Sequence, residues 1–215
     1  MKARRARGEG TTSRRPEVTR GRILDAATRE FSSRGLGGAR VDAIATRAGV
    51  NKRMLYHYFG NKEALFRAVL ENAYEDIRRR EEALDLTHLP PEAALRELVT
   101  FTFDYFLINP HFIALLNSEN LHRARHIRRS GRVGAINNPI VRTLAEVLAR
   151  GEKAGVFRSG IEPIQLYISI AGVSYFYFSN VHTLSTIFAR DLRAPAALKE
   201  RAAHVVDLML RAVRP

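Results

Sequence analysis

Residues 48–65 read AGVNKRMLYHYFGNKEAL, and the spacing of glycine and asparagine within them divides the chain into short helices. A glycine just past a helix end enters the left-handed region at no Cβ cost, and an asparagine before a helix accepts its first free amides. On this grammar Gly49 ends one helix, Asn51 caps the next and Gly60 closes it. Asn61 then caps a further helix with Glu63 in its first turn, where a negative charge suits the helix dipole. The segment between the two breaks is very short, yet it carries Lys52, Arg53, Tyr56 and His57, with Lys62 just beyond. A core needs the rings but not the cations, and a solvated surface does not need the rings. The combination asks for a partner that uses both.

Working outward, Ile23, Leu24, Ala27 and Phe31 fall on one helical face, with Thr19 as the expected cap and Gly35 as a left-handed stop. Val41 to Ala48 reads as a second, short helix. Val41 to Phe59 therefore has the pattern of a helix-turn-helix, in which Ile44, Val50 and Leu55 fill the angle against Phe31 and the small Ala45 and Ala48 permit a close crossing. Downstream, the helix capped by Asn61 runs to about residue 82, and Pro90-Pro91 marks a break. Further helices are predicted at about 92–108, 111–128, 139–153, 163–189 and 195–213, with Pro139, Pro163 and Pro195 in first turns. No segment alternates with period two for long, and there is no Asn-Gly or Asp-Gly hairpin signal. The fold class is all-α.

The chain has 215 residues, 46% of them apolar, enough for a substantial core, and no cysteine. A disulfide framework, thiol catalysis and cysteine-ligated zinc are excluded, and a reducing, cytoplasmic setting is expected. The basic N-terminus is not followed by an apolar run, so no signal peptide is expected. Ile164 to Phe188 lacks charged residues over a length that could cross a bilayer. Nine scattered Gln, Ser, Asn, His and Thr residues argue instead for a helix buried between protein elements, and no membrane partner is expected.

Net charge is +13 and unevenly spread: residues 1–62 hold 15 Lys/Arg and 5 Asp/Glu, the remainder 20 and 17. That asymmetry points to a polyanion-binding module joined to a nearly neutral domain. The expected organisation is a disordered basic arm over 1–16, a DNA-binding unit over 17–62 and a larger unit over 63–215. Arg4, Arg5, Arg7, Arg14 and Arg15 of the arm either enter a minor groove or remain solvated.

The segments ILDAATREFSSRG, VDAIATRAGV and NKRMLYHYFGNKEALFRAVL resemble the N-terminal domain of the TetR family of bacterial transcriptional regulators, over about residues 18–75. The resemblance implies that the third helix enters the DNA major groove, with Lys52, Arg53 and Met54 nearest the bases. Tyr56, His57 and Lys62 would then hold phosphates. Two positions depart from the family pattern. Arg53 stands where a small residue is usual; it either reads guanine bidentately, which is the expectation, or adds a backbone contact. Arg40 replaces a capping Thr or Ser, losing about 1 kcal/mol of cap and gaining a cation suited to phosphate.

For the remaining two-thirds, the resemblance implies a small-molecule pocket and a homodimer interface, with the last two long helices pairing with their copies. The uncharged length of 163–189 supports this independently, since it needs covering on more than one side. Candidate pocket residues are Phe103, Phe106, Phe112, Asn117, Glu119, Asn120, Tyr167 and Tyr175, an apolar cluster with a few polar groups. Glu119, His122 and His126 fall on one face of the predicted 111–128 helix. However, Arg123, Arg125, Arg128 and Arg129 oppose a dication, so a polar outer surface is expected rather than a metal site, and no cofactor is expected.

No GxSxG, HExxH or phosphate-binding glycine loop is present, and His111 and His204 have no acid partner in sequence, so catalysis is not expected. The reading is a sequence-specific regulator of transcription, a repressor released from an inverted-repeat operator in double-stranded DNA by a small effector. The alternative is a non-specific nucleic-acid-binding protein using the same charges.

Overall fold

A computed structural model describes residues 14–215. Its eleven helices are α1 (Arg14–Gly38), α2 (Val41–Ala48), α3 (Lys52–Phe59), α4 (Lys62–Glu82), α5 (Pro91–Ile108), α6 (Pro110–Leu121), α7 (Arg125–Arg128), α8 (Val133–Lys153), α9 (Pro163–Ser179), α10 (Val181–Ile187) and α11 (Pro195–Val213). The expected basic arm lies outside the described residues up to residue 13, while residues 14–16 already belong to α1.

The caps explain the short elements. Asn51 Oδ1 accepts from Met54 N at 2.7 Å and Asn61 Oδ1 from Ala64 N at 2.8 Å, as the spacing predicts. Gly49 is left-handed (φ 63°, ψ 40°). Gly35 does interrupt α1, but with φ 63° and ψ 176°, a combination essentially restricted to glycine and not the left-handed helical stop expected. Thr19 lies inside α1 and does not cap it, because the chain is already helical from Arg14, the first described residue.

Three further boundaries depart from the sequence reading. The predicted 111–128 helix is cut after Leu121, where Arg123 and Ala124 adopt positive φ (55° and 56°). The predicted 163–189 helix breaks at Asn180, whose side-chain amide donates to Phe176 O at 3.0 Å. Helix α8 starts at Val133, which leaves Pro139 inside the helix instead of in its first turn. Periodicity reads straight through such breaks, because one or two residues hardly alter the phase of an apolar stripe.

One apolar cluster unites α1–α4 with Tyr105 and Phe106 of α5 and Phe112, Ile113 and Leu115 of α6. Phe31 and Phe66 meet edge to face within it, centroids 5.1 Å apart, each contributing roughly 1.5–3 kcal/mol by burial. A second cluster packs α5, α8, α9 and α11 together. The helix-turn-helix is therefore welded to α6 through shared core and not merely tethered. No single helix among the described residues is long and apolar enough to cross a membrane. Helix α9 buries Leu166, Ile170, Ser174 and Tyr177, but leaves Ile164, Ile168 and Phe176 at least half exposed.

Candidate nucleic-acid interface

Helix α3 commits Leu55 and Phe59 to the core, and Lys52, Arg53, Met54, Tyr56 and His57 are exposed. Phe59 is further held by the Arg20 guanidinium, 5.3 Å from its ring centroid. Arg53, Met54 and His57 share one shallow surface hollow with Asn51. Arg40 immediately precedes α2, and Lys62 opens α4, so the seven predicted DNA-contacting residues lie on α3 or at the starts of the two helices flanking it.

Two of the cations have protein partners. Lys52 Nζ lies 3.1 Å from Asp42 Oδ1, and the hydrogen bond and charge of Asp42 raise the lysine's pKa. Lys52 is thus firmly cationic, and its charge is shared with an exposed acid until a stronger anion arrives. Lys62 Nζ donates to Gly37 O at 3.2 Å, joining the start of α4 to the end of α1. An ammonium group has three donors, so both side chains retain capacity for phosphate.

The Arg40 side chain does not cap α2. Instead the buried Glu30 carboxylate accepts from Arg40 N at 3.1 Å and faces Arg34 at 3.5 Å and Arg47 at 3.6 Å. Glu30 thereby takes the N–H of the residue preceding α2, the role that the reciprocal acid of a capping box plays and not that of the missing hydroxyl, which would accept from an amide in the first turn. Arg22 donates to Ala48 O and, at 3.2 Å, to Gly49 O, so α1 grips the turn between α2 and α3. A Cβ on Gly49 would meet the tip of the Arg22 side chain. Sequence reasoning missed Arg22, Glu30 and Asp42 because each acts on a partner ten or more positions away.

The eight predicted pocket residues are not gathered in one place. Phe106 and Asn117 line a cavity of about 310 Å³ beside Phe178, and Tyr175 Oη donates to Asn117 Oδ1 at its edge. Phe112 stacks on Phe106 with centroids 5.9 Å apart, and Phe103 packs in the second core 4.9 Å from Phe178. Tyr167 meets Arg78 near the far end of α4. Asn120 is exposed and donates to Leu116 O at 2.9 Å within its own helix.

Glu119 is buried and organises the α6–α7 junction. Its Oε1 accepts from His126 N at 2.8 Å and Ile127 N at 3.0 Å, and its Oε2 lies 2.6 Å from His126 Nδ1. The polar outer surface expected at Glu119, His122 and His126 is corrected accordingly: Glu119 and His126 are each 2% exposed. They meet because the chain turns at Arg123 and Ala124, not because they share a helix face.

Comparison with known proteins agrees with this geometry. Residues 23–69 match the family described as bacterial regulatory proteins, tetR family, and residues 91–209 match the tetracyclin repressor-like C-terminal domain. The HTH-type transcriptional repressor NicS of Pseudomonas putida is 40% identical over 208 residues, 97% of this chain and 98% of that protein. The HTH-type transcriptional repressor SCO4008 of Streptomyces coelicolor is 36% identical over 109 residues, 51% of this chain and 53% of its own. Among solved structures, the putative transcriptional regulator SCO4942 from Streptomyces coelicolor aligns with a TM-score of 0.69 at 25% identity, covering 92% of this chain and 99% of the other. Its two matched halves, and a relative aligned along nearly its whole length, make this chain a member of the TetR family of bacterial transcriptional regulators.

Proposed function

We propose that the protein is a repressor that binds an inverted-repeat DNA operator as a homodimer and leaves it when a small molecule occupies the C-terminal domain. The observation that carries this reading is α3: an eight-residue helix with its apolar side sunk in the core and Arg53, Met54, Tyr56 and His57 outward. Such a helix fits the major groove. Arg53 and Met54, in their shared hollow, are assigned to base edges, with Lys52 beside them. Tyr56, His57, Lys62 and Arg40 are assigned to phosphates. Function on DNA gives the cytoplasm as its place of action.

Dimerisation is supported by the exposed Ile164, Ile168 and Phe176 of α9 and Leu208 of α11, an apolar face that a second copy would cover. Two half-sites about one helical turn apart then multiply the modest reading of one short helix. Release requires an effector that binds the DNA-incompetent state more tightly than the competent one.

Selection of bound fragments from a random duplex library, at low and near-physiological salt, tests the reading. An enriched inverted repeat that survives the higher salt is the expected result. Binding that enriches nothing and vanishes with salt would leave the non-specific alternative in its place.

A further inference from the structure

Beyond the helix-turn-helix, positive charge is concentrated in one short run. Residues 122–132 (HRARHIRRSGR) hold five arginines and no acid, whereas the rest of residues 63–215 holds 15 Lys/Arg against 17 Asp/Glu. The fold sets this run against the first turn of α4. Arg125 Nη2 lies 3.1 Å from one oxygen of Glu63, and Arg129 Nη1 lies 3.9 Å from the other. Glu63 follows Lys62, the residue assigned above to a phosphate. Arg125 and Arg129 stand four positions apart and so share a face. Their side chains are nonetheless 45% and 66% exposed. Arg123 and Arg128 are also exposed and meet no carboxylate among the described residues; Arg128 Nη2 donates to Arg123 O at 2.7 Å.

The turn that carries these arginines is fixed from within. Arg123 and Ala124 occupy a region of positive φ that residues with a Cβ rarely enter. Glu119 holds the chain there by accepting the amides of His126 and Ile127. The His126 ring meets Phe66 of α4 edge to face, centroids 5.1 Å apart, so α7 is pinned to α4 by buried groups. The exposed pairs with Glu63 are not what holds it, because surface ion pairs contribute little. One carboxylate faces two guanidiniums, which leaves positive charge that the protein does not neutralise. Guanidinium matches phosphate geometry, and a side chain already set in place loses less freedom on binding one.

We propose that the α6–α7 turn is a second DNA-contacting surface, in which Arg125 and Arg129 hold backbone phosphates next to the one held by Lys62. Arg123 and Arg128 add to the attraction, and none of the four reads a base. In the free protein Glu63 shares Arg125 and Arg129; on DNA a phosphate takes them over. The proposal rests on the reading of α3 as a DNA-binding helix and extends that contact surface into the C-terminal half of the chain.

The test uses the full chain, an operator duplex obtained by library selection and a random duplex of equal length, with anisotropy followed from about 50 to about 300 mM salt. In Arg125→Gln/Arg129→Gln, operator affinity near physiological salt should fall at least about tenfold. The slope of log affinity against log salt should become shallower by about 3 to 4, since each phosphate contact contributes about 0.9 and a bound dimer carries four of these arginines. The random duplex should lose a similar slope, and the selected motif should stay the same. Lysine at both positions should restore most of the slope. Adding Glu63→Gln to the double variant separates contact from neutralisation. If the arginines merely offset Glu63, the triple variant regains parental affinity, which would overturn the proposal; continued weak binding is expected. A slope within about 0.5 of the parent in the double variant would overturn it as well. Should that variant fail to fold, Arg123→Gln/Arg128→Gln carries the test: its slope should fall by at least about 1, and an unchanged slope counts against the proposal. An operator bound with parental slope ends this proposal alone. A selection that enriches no operator, while the random-duplex slope still falls, ends the sequence-specific reading and keeps the surface.

Discussion

At the scale of single residues, the exposed face of α3 separates reading from gripping. Arg53→Ala should relax base preference at one position in each half-site, with a cost of about 1–3 kcal/mol at the preferred sequence. Tyr56→Ala should weaken all sites roughly alike; both outcomes are read by repeating the library selection with each variant. If Arg53→Ala leaves the selected motif unchanged, Arg53 serves the backbone only. Gly49 makes a separate point. Its φ of 63° means that Gly49→Ala should lower stability by roughly 1–3 kcal/mol, measured by urea unfolding. The need for glycine there was visible in the sequence, since it ends one periodic segment just before another begins. The grip of Arg22 on that turn was not, because it stands 26 positions from the carbonyl of Ala48 it holds.

At the scale of elements, the junction between α6 and α7 shows how one buried acid redirects the chain. Glu119 takes the amides of His126 and Ile127, which a continuous helix would bond to its own carbonyls, and so holds a second short helix against the end of the first. Glu119→Ala leaves both amides and His126 Nδ1 without that acceptor, and should destabilise the fold by roughly 2–5 kcal/mol in thermal unfolding. A loss of under about 0.5 kcal/mol would mean that water replaces the carboxylate. The apolar spacing of 111–128 is continuous through the break, which is why it reads as one helix. The same holds at Asn180, where the side chain draws on Phe176 O and the periodicity continues beyond.

At the scale of the whole molecule, the uncovered face of α9 and α11 sets the expected assembly. Phe176→Glu places a charge on an apolar surface and should raise the dimer dissociation constant at least about tenfold, seen by sedimentation, with a parallel loss of operator affinity. Unchanged sedimentation would move the interface elsewhere. Stability should also carry a pH signature from Glu81. Burial raises its pKa from 4.5 to about 7, outweighing the attraction of Arg78. Between those values the folded chain keeps a proton that the unfolded chain has lost, so stability falls as pH rises through the window and levels off above it. Comparison of urea unfolding at about pH 5 and about pH 8 should show this fall in the parent and a smaller one in Glu81→Gln.

The all-α class, the helix-turn-helix and the cationic face of α3 were legible in the sequence, because they rest on local rules: caps at Asn51 and Asn61, turn glycines, and a stripe of apolar residues that forces the opposite stripe outward. Local rules also located most helix boundaries beyond residue 60. Only the tertiary structure decided what buried polar groups do. Glu30 acquires its role from Arg40 and Glu119 from His126 and Ile127, while Arg78, already three residues from Glu81 on one helix, gains Tyr167 only through packing. The distinction is physical: hydrophobic periodicity is a property of neighbours along the chain, whereas desolvation and hydrogen-bond satisfaction are properties of neighbours in space.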